Sequence, residues 1–365
     1  MPAFFQCGDS LMIRLARPAP LLAGLSATAI LGLPTVGQSV VSDVDWEVYG
    51  RLHADLAYLD NGDDYSAFNL ASRSSRIGFR IGYDVLPNLR AIGQVERLIA
   101  IDSSDSTFPA RDTFLGAEGT WGRLRAGRFN TPLKDVQRAV NLFSDQVGDA
   151  RNILRNNYTD ASGVRLQGFD ERFRNGINYE TPRWQGLGLA AHYSLETEPG
   201  GSSANNNAND AWSTALTYVQ GGLTLALAHE RNNKEDRDLP DRYMTRLGAV
   251  LDLNAWRFTG LAQQAGRPDD TAFGLGARYS VTQELRLKTQ YYRLDADDTD
   301  FDAQMLAVGA DYVFNRHFTV YASSALMDND RLQTLTPWQQ GSNIDRGGAA
   351  DRTGYALALG AMFNF

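Results

Sequence analysis

Hydrophobic and polar residues alternate with a period of two along most of the chain from Trp46 onward. In the run from Trp46 to Tyr58, one face is mainly apolar and the other carries Arg51, His53 and Asp55. Alternation over a run of this length is typical of a β-strand with two different faces. Strands of soluble proteins usually have about five or six residues, whereas a tilted membrane-spanning strand needs about 9–11. The run is therefore long enough to cross a bilayer as a strand.

Alternation of this kind recurs along the chain and predicts about sixteen strands in all. Short links that contain Gly, Pro or Asn, such as residues 86–88 and 182–186, alternate with long polar links, such as 61–72 and 329–351. Tight turns at one rim and long loops at the other are typical of outer-membrane barrels. Because an open sheet edge in lipid would leave backbone groups unpaired, the sheet must close on itself. The predicted fold is therefore all-β, a transmembrane antiparallel up-and-down β-barrel.

A soluble β-sandwich is the main structural alternative, because its strands also have one apolar and one polar face. The length and number of the strands weigh against it, and so do the hairpin-like connections. The apolar faces also begin or end in aromatic residues, among them Trp46, Tyr83, Trp212 and Tyr279. Aromatic girdles at both membrane interfaces are characteristic of membrane barrels. A barrel of about sixteen strands is too wide for side chains to fill, so we expect a water-filled channel.

The link at residues 131–172 is much the longest before the last hairpin, and it breaks the alternating pattern. It mixes acidic and basic side chains, among them Lys134, Asp135 and Arg138, with a few apolar residues such as Phe143. A connection of about 40 residues without regular structure is uncommon in a compact domain unless it is functional. We therefore predict that this segment lies inside the barrel and that the strands form its container.

Composition limits the remaining classes of function. The formal net charge of −8 argues against a nucleic-acid partner, which requires a basic surface. The histidines are scattered without the spacing of a metal site, and no cofactor motif or catalytic set can be placed, so the sequence predicts no metal, no cofactor and no enzyme. Residues 1–38 carry Arg14 and Arg17, then an apolar stretch and small residues, which predicts a secretory signal peptide. Residues 39–365 are predicted to form the barrel domain.

Several motifs, taken in order, resemble those of the general porins of Gram-negative outer membranes. They are YGRL (49–52), SRIGFR (75–80), AIGQVE (91–96), RDTFLGAEGTWGRLRAGRFNTPLKD (111–135), FRNGINYETP (173–182) and the terminal Phe365. The resemblance covers the whole of residues 39–365 and implies a homotrimer in the outer membrane, in contact with lipid and lipopolysaccharide. It also implies that the third external loop folds inward and narrows each channel. It further implies that the terminal strand, with Phe365, is read by the outer-membrane assembly machinery.

In such porins, basic side chains on the wall face acidic side chains on the inward loop. The resemblance places the wall side at Arg51, Arg76, Arg80, Arg111 and Arg174. It places the loop side at Asp135, Asp145 and Asp149. Three of the wall arginines lie on the polar phase of their strands, which supports the assignment independently. The alternatives on the loop are Arg138, Arg151 and Arg155, which could take the same positions or pair with the carboxylates.

The function implied is passive diffusion of small hydrophilic solutes and ions through a general porin. A substrate-specific channel for sugars or anions is the alternative, although the inward faces show neither a clear aromatic ladder nor a dense line of Lys and Arg. The negative net charge and the acidic link at 295–300 predict a mild preference for cations. Neutralising Asp145 and Asp149 is predicted to shift the preference toward anions without unfolding the trimer.

Overall fold

The structure is a computed structural model. It describes residues 44–102, 110–155, 158–159, 165–166, 168–195, 197, 209–233, 242–266, 269–340, 342–344 and 346–365. The predicted signal peptide, residues 1–38, lies outside the described residues.

Strands account for most of the described chain. They are β1 (Asp45–Asp60), β2 (Ser66–Ser72), β3 (Arg76–Leu86), β4 (Leu89–Leu98), β5 (Ala110–Gly119), β6 (Gly122–Asn130), β7 (Tyr158–Thr159), β8 (Arg165–Leu166), β9 (Arg172–Glu180), β10 (Leu187–Ser194), β11 (Ala211–Gln220), β12 (Leu223–Asn232), β13 (Arg242–Leu253), β14 (Trp256–Gly266), β15 (Thr271–Ser280), β16 (Leu285–Asp295), β17 (Ala303–Val313), β18 (Phe318–Asn329) and β19 (Thr353–Asn364). The helices are α1 (Pro132–Val140), α2 (Arg151–Leu154) and a 3₁₀ turn at Thr299–Phe301. Among the described residues, no helix is both long and apolar enough to cross a membrane.

The barrel is closed by pairing between the first and last strands. Neighbouring strands pair antiparallel in chain order, and β1 pairs with β19 from Arg51↔Asn364 to Asp60↔Tyr355. On its other edge β1 pairs with β3 through its first half and with β2 through its second half. β2 and β3 therefore occupy one position, and the described strands make a closed barrel of sixteen. This confirms the predicted fold class. The short β7–β8 pair is separate from the barrel.

The break between β2 and β3 corrects one prediction. Residues 61–72 were expected to be a long link, yet Ser66–Ser72 is a strand. Phe68 and Leu70 are exposed on its outer side, whereas Asn69 and Ala71 are buried on its inner side. The alternation is present in β2, but it covers only seven residues and the inward residues are small or uncharged. The contrast between the two faces is therefore too weak to predict a strand. The strand is interrupted at residues 73–75, where Ser74 has a positive φ of 57°.

The two faces of the wall have the predicted orientation. The leucines assigned to lipid are exposed on the outer surface, with Leu225 at 40% and Leu359 at 65%. On the opposite face of β1, His53 and Asp55 are buried inside the barrel. Outward aromatic side chains gather at the rim with the tight turns, where Trp256 lies 4.6 Å from Tyr279 between ring centroids. A barrel with apolar side chains outside and polar ones inside fits a bilayer around a polar lumen.

Two of the long connections matter for the site. We name residues 131–171, between β6 and β9, connection 3, and residues 330–352, between β18 and β19, connection 8. Side chains from both pack against inward-facing wall residues in buried apolar clusters. The wall supplies mainly small residues at these contacts, such as Ala226, Ala307 and Ala325. Small wall side chains leave room inside the barrel for the connections.

Candidate functional site

Connection 3 begins with helix α1. The Thr131 side chain accepts a hydrogen bond from the backbone N–H of Lys134 at 3.3 Å, which caps the helix at its N-terminus. Leu133, Val136 and Val140 follow the i, i+3, i+7 spacing of one helix face and are buried. That face contacts β11 to β14. The amphipathic helix therefore lies flat against the inner surface of the wall.

Arg246 of β13 ties three points of connection 3 to the wall. Its Nη1 donates to the Leu133 carbonyl at 3.0 Å, and its Nη2 lies 3.5 Å from the Leu154 carbonyl. The guanidinium also forms a forked pair with Asp170, at 2.5 and 3.1 Å. Both side chains of the pair are fully buried. Because these contacts span the start, middle and end of connection 3, Arg246 anchors the whole segment.

Two residues of β16 hold the next part of connection 3. Gln290 accepts from the Leu142 N–H at 3.0 Å and donates to the Gly148 carbonyl at 2.7 Å. Lys288 donates to the Gln146 side chain at 2.8 Å, and its ammonium lies 4.6 Å from the centroid of the Phe143 ring. The turn at residues 143–149 is thereby fixed on the β16 side of the barrel.

This turn has a constrained backbone. Asp145 has a φ of 59° and Gly148 a φ of 84°, so a residue with a side chain occupies the left-handed region at Asp145. The Asp149 carboxylate compensates by accepting from the backbone N–H of Asp145 at 2.7 Å and from the Asn141 amide at 2.9 Å. Arg151 donates to the same carboxylate at 2.6 Å. Asp149 is fully buried, so it organises the turn and does not face the channel.

Asp145 is the point where the loop and the wall meet. Its Oδ1 accepts from Arg151 Nη2 at 2.8 Å and from the Ser74 hydroxyl at 3.1 Å. Burial favours a higher pKa for Asp145, but the nearby arginines outweigh burial and hold the pKa well below its usual range. These arginines are Arg151, Arg111, Arg76 and Arg51. Three predicted wall residues and one predicted loop residue are thus within electrostatic range of one another.

Two of the wall arginines share one carboxylate. Arg76 and Arg111 share Glu96, with Nε–O distances of 3.6 and 2.5 Å, and the Tyr49 hydroxyl donates to the same carboxylate at 2.9 Å. Arg51 lies opposite Arg76 in the β1–β3 register and donates to the Asn364 side chain at 2.8 Å. Two guanidinium groups on one carboxylate leave net positive charge on this part of the wall.

Two of the predicted wall arginines are not part of this group. Arg80 lies nearer the rim with tight turns, where it pairs with Glu47 at 3.1 Å and stacks over the Tyr49 ring at 3.8 Å. Arg174 lies at a register shift between β6 and β9, next to Asn175, which has a positive φ of 50°. Arg174 lies within electrostatic range of Arg128. Neither Arg80 nor Arg174 is among the main charges acting on Asp145.

Asp135 also lies apart from Asp145, in the first turn of α1. Its carboxylate accepts from the Asn130 amide at 3.3 Å and lies 3.8 Å from Arg138. Burial raises the pKa of Asp135 to about 6, against the opposing charge of Arg138 and with a contribution from Asp112. Asp135 therefore titrates closer to neutral pH than Asp145 does.

Phe365, the predicted assembly signal, closes the barrel next to β1. Its carbonyl accepts from the Gly50 N–H at 2.8 Å, and its N–H donates to the Gly50 carbonyl at 3.1 Å. Its ring stacks on Phe363 with 6.0 Å between centroids. The terminal residue thus extends the last ladder to the tight-turn rim.

Several residues of the site were not identified from sequence. Arg246, Gln290 and Lys288 were visible only as polar positions of alternating strands, and nothing in the sequence indicated that connection 3 would contact them. Glu96 lies in the AIGQVE motif (91–96). Its position on the polar face of β4 is a sequence signal that it points into the barrel. Arg151 was recognised as an alternative that could pair with the carboxylates, and it does pair with Asp145 and Asp149.

The described residues contain no group of three or more His, Cys, Asp or Glu side chains arranged to hold a metal ion. Carboxylates of connection 3 and of the wall are instead paired with guanidinium groups, as in Asp149 with Arg151 at 2.6 Å and Asp112 with Arg172 at 2.5 Å. An arrangement of fixed opposite charges beside a polar lumen can orient water and sort solutes by charge and size.

Comparison with known proteins identifies the family. A family model described as Gram-negative porin matches residues 24–332. The major outer membrane protein P.IB of Neisseria meningitidis serogroup B is 22% identical over 328 residues, which cover 83% of this chain and 94% of that protein. A chitoporin of Vibrio furnissii is 31% identical over 290 residues, which cover 74% and 72%.

The fold also agrees with a solved structure. An anion-selective porin from Comamonas acidovorans superposes with a TM-score of 0.76 at 21% identity, covering 88% of this chain and all of that one. At this identity the likeness shows the fold alone, whereas the family is shown by the model match and the chitoporin. The chain therefore belongs to the Gram-negative porin family and forms a channel in the bacterial outer membrane.

Proposed function

We propose that this protein is a general diffusion porin for small hydrophilic solutes and ions, with a preference for anions. The observation that carries the proposal is the excess of arginines where Asp145 meets the wall. Asp145 pairs with Arg151 at 2.8 Å, Arg76 and Arg111 share the one carboxylate of Glu96, and Arg51 lies opposite Arg76. Connection 3 brings Asp145 to this wall and narrows the lumen there. The narrowest part of the channel is thus lined by more positive than negative charge.

The arrangement supports charge-dependent sorting. Basic groups on the wall and Asp145 on connection 3 create a field across the lumen, which orients water and dipolar solutes. An apolar solute must displace this oriented water, at a cost in free energy. At physiological ionic strength the Debye length is about 8 Å, so salt weakens the field between such close groups without removing it.

The sign of the preference follows from the local charges. The negative net charge of the whole chain predicts a preference for cations. That charge includes acidic residues such as Asp298 and Asp300, which belong to the connection between β16 and β17 and not to the strands that carry the wall arginines. At the narrowing, Asp149 is enclosed and Glu96 is shared by two arginines. Mobile anions therefore meet the more favourable potential.

A sugar-specific channel is the second candidate, because one relative is a chitoporin. Such a channel would expose aromatic rings to the lumen as a stacking surface. Among the described residues, the inward aromatic side chains Tyr49, Tyr292 and Tyr321 are buried, and the half-buried Phe114 has the Arg125 guanidinium 5.2 Å from its ring centroid. Their rings are covered by other side chains and by the connections, so they offer no open platform to a sugar. This favours the general porin.

The remaining predictions belong to the same proposal. Three features follow from the porin family: a homotrimer, contact of the outer surface with lipid and lipopolysaccharide, and recognition of Phe365 during assembly. Residues 1–38 serve as the export signal. Cross-linking of the purified protein in detergent, with trimers as the expected product, tests the oligomeric state directly.

Reconstitution distinguishes the two candidate functions. In planar bilayers a general porin gives currents that rise linearly with voltage, and liposome-swelling rates fall smoothly with the size of neutral sugars. A chitin oligosaccharide that blocks the current saturably at low concentration, with unrelated sugars of similar size inactive, contradicts the proposal and favours the specific channel.

A further inference from the structure

Connection 8 has an unusual feature for an external loop: its middle is buried. Thr336, Pro337, Trp338 and Gln340 are all buried, and the Trp338 side chain is fully enclosed, at 0% exposure. External loops normally run over the surface with polar, solvated residues. We name residues 335–340 the wedge segment. Its burial shows that connection 8 enters the barrel.

The Trp338 ring lies between connection 3 and the wall. It belongs to a buried cluster with Phe143 and Val147 of connection 3. The wall side of the cluster is made by small inward side chains of four strands and by one leucine. These residues are Ala57, Leu59, Ala307, Ala325, Ala356 and Ala358. The indole fills the space that the alanines leave behind the turn at residues 143–149.

Hydrogen bonds join the wedge segment to connection 3 directly. The Gly148 N–H donates to the Pro337 carbonyl at 2.7 Å, and the Gln340 N–H donates to the Asn152 side chain at 2.9 Å. Arg155 Nη1 donates to the Gln340 side chain at 3.1 Å. Three separate contacts thus link the wedge segment to the turn and to α2.

The break between β2 and β3 joins both connections to the wall. The Arg73 guanidinium is fully buried, pairs with Asp55 at 2.9 Å, and lies 3.4 Å from the Trp338 carbonyl. The next residue, Ser74, donates to Asp145. Adjacent residues of one strand interruption therefore contact the wedge segment and the charged tip of connection 3.

From these contacts we propose that Trp338 is a positioning residue for the channel, and that connection 8 is a second element that sets its width. The inference rests on the proposed function. Trp338 is fully enclosed, so it acts on solutes only through the turn that it supports. That turn carries Asp145, and its Gly148 N–H is bonded to the wedge segment. Without the indole, the turn loses its packing on one side and Asp145 loses its fixed distance from the wall arginines.

Single-channel recording of two substitutions and a control tests this. Trp338→Ala is expected to give larger conductance, frequent brief closures and a changed reversal potential, whereas Trp338→Phe is expected to stay close to wild type. Leu332→Ala is the matched control, because Leu332 is on the same connection but 48% exposed, outside the wedge segment. Trimer stability to heat is measured in parallel, since a purely structural role would change stability and leave the reversal potential of assembled channels unchanged.

A cross-link keeps the test decisive. The only cysteine of the chain is Cys7, so Asn152→Cys with Gln340→Cys introduces a unique pair where the wedge segment meets α2. Oxidation is expected to restore quiet, wild-type conductance to Trp338→Ala channels, and reduction to reverse it. If Trp338→Ala does not assemble, Asn152→Ala, which removes one hydrogen bond, is expected to increase the closures. The inference is overturned if Trp338→Ala channels have the conductance, reversal potential and noise of wild type. If only Asn152→Ala assembles, the same result in that variant overturns it. A wild-type protein without ohmic channels instead overturns the proposed function.

Discussion

Arg151 Nη2 lies 2.8 Å from Asp145 Oδ1, and both residues belong to connection 3. The acidic tip of this connection therefore carries its own counter-ion before it meets the wall. The wall arginines Arg51, Arg76 and Arg111 add to a carboxylate that is already paired. The carboxylate that meets the basic wall is therefore already paired within connection 3.

Asp145→Asn is expected to increase the preference for anions. The substitution removes the one loop carboxylate within range of all four arginines, and the amide keeps a similar shape. Because the asparagine can still accept from Ser74 and Arg151, the protein should assemble normally. Reversal potentials in a KCl gradient measure the effect. Asp300→Asn is the control, since Asp300 pairs with Arg331 on an external connection; an equal shift in both variants contradicts a local effect.

Asp149→Asn is expected to behave differently from Asp145→Asn. Its buried carboxylate accepts from the Asp145 N–H, the Asn141 amide and Arg151, and an amide cannot accept at both ends. Leaving a buried donor unsatisfied costs about 1–3 kcal/mol. The turn should therefore loosen, which noisy single-channel currents would reveal. Quiet channels with only a shifted reversal potential would show that Asp149 contributes charge and not structure.

Lowering the pH is expected to increase anion preference through Asp135. Its pKa is raised to about 6, so the carboxylate is charged above that value and neutral below it. Between about pH 7 and pH 5 the Asp135 side chain therefore loses its negative charge, whereas an ordinary aspartate, with a pKa of about 3.9, stays ionised. The low pKa of Asp145 excludes it from this window. Reversal potentials measured over this range should show a step that Asp135→Asn abolishes; a step that persists in the variant assigns it to another group.

Arg246→Met is expected to release connection 3 from β13. The substitution leaves Asp170 as a buried charge without its forked partner, and removing one partner of a buried pair typically costs about 3–5 kcal/mol. Conductance should increase and fluctuate, and proteolysis should cut within connection 3 in the folded protein. Arg246→Lys keeps the charge and should be intermediate. Protection from protease equal to that of wild type in Arg246→Met would show that the other anchors suffice.

The barrel was predictable from sequence because alternate side chains of each strand face lipid and the lumen. Each strand therefore needs alternating apolar and polar residues, and the sequence shows this alternation. The position of β2 was not, since a short strand with Asn69 and Ala71 inward carries little contrast between its faces. The group of Arg51, Arg76 and Arg111 was predictable from motifs that specify wall positions. Arg80 and Arg174 also lie on the polar faces of their strands. The alternating pattern predicts which side chains point inward, but not how far along the barrel axis each one lies.

The contacts between connections could not be predicted in the same way. The contacts of Trp338 and Arg246 depend on where connections 3 and 8 fold inside the barrel. The alternating pattern of the strands carries no information about those positions. Connection 8 has a polar composition, which is typical of a solvated loop, and its buried middle depends on space left by wall alanines such as Ala307 and Ala325. Such complementarity is a property of the folded barrel as a whole.

The zero-current potential of the wild-type channel in a KCl gradient tests the central claim most directly, that arginines dominate the charge at the narrowing. We predict that the dilute side becomes negative, because chloride crosses faster than potassium, and that Arg76→Gln with Arg111→Gln reduces this potential. A dilute side that becomes positive in the wild-type channel contradicts the account.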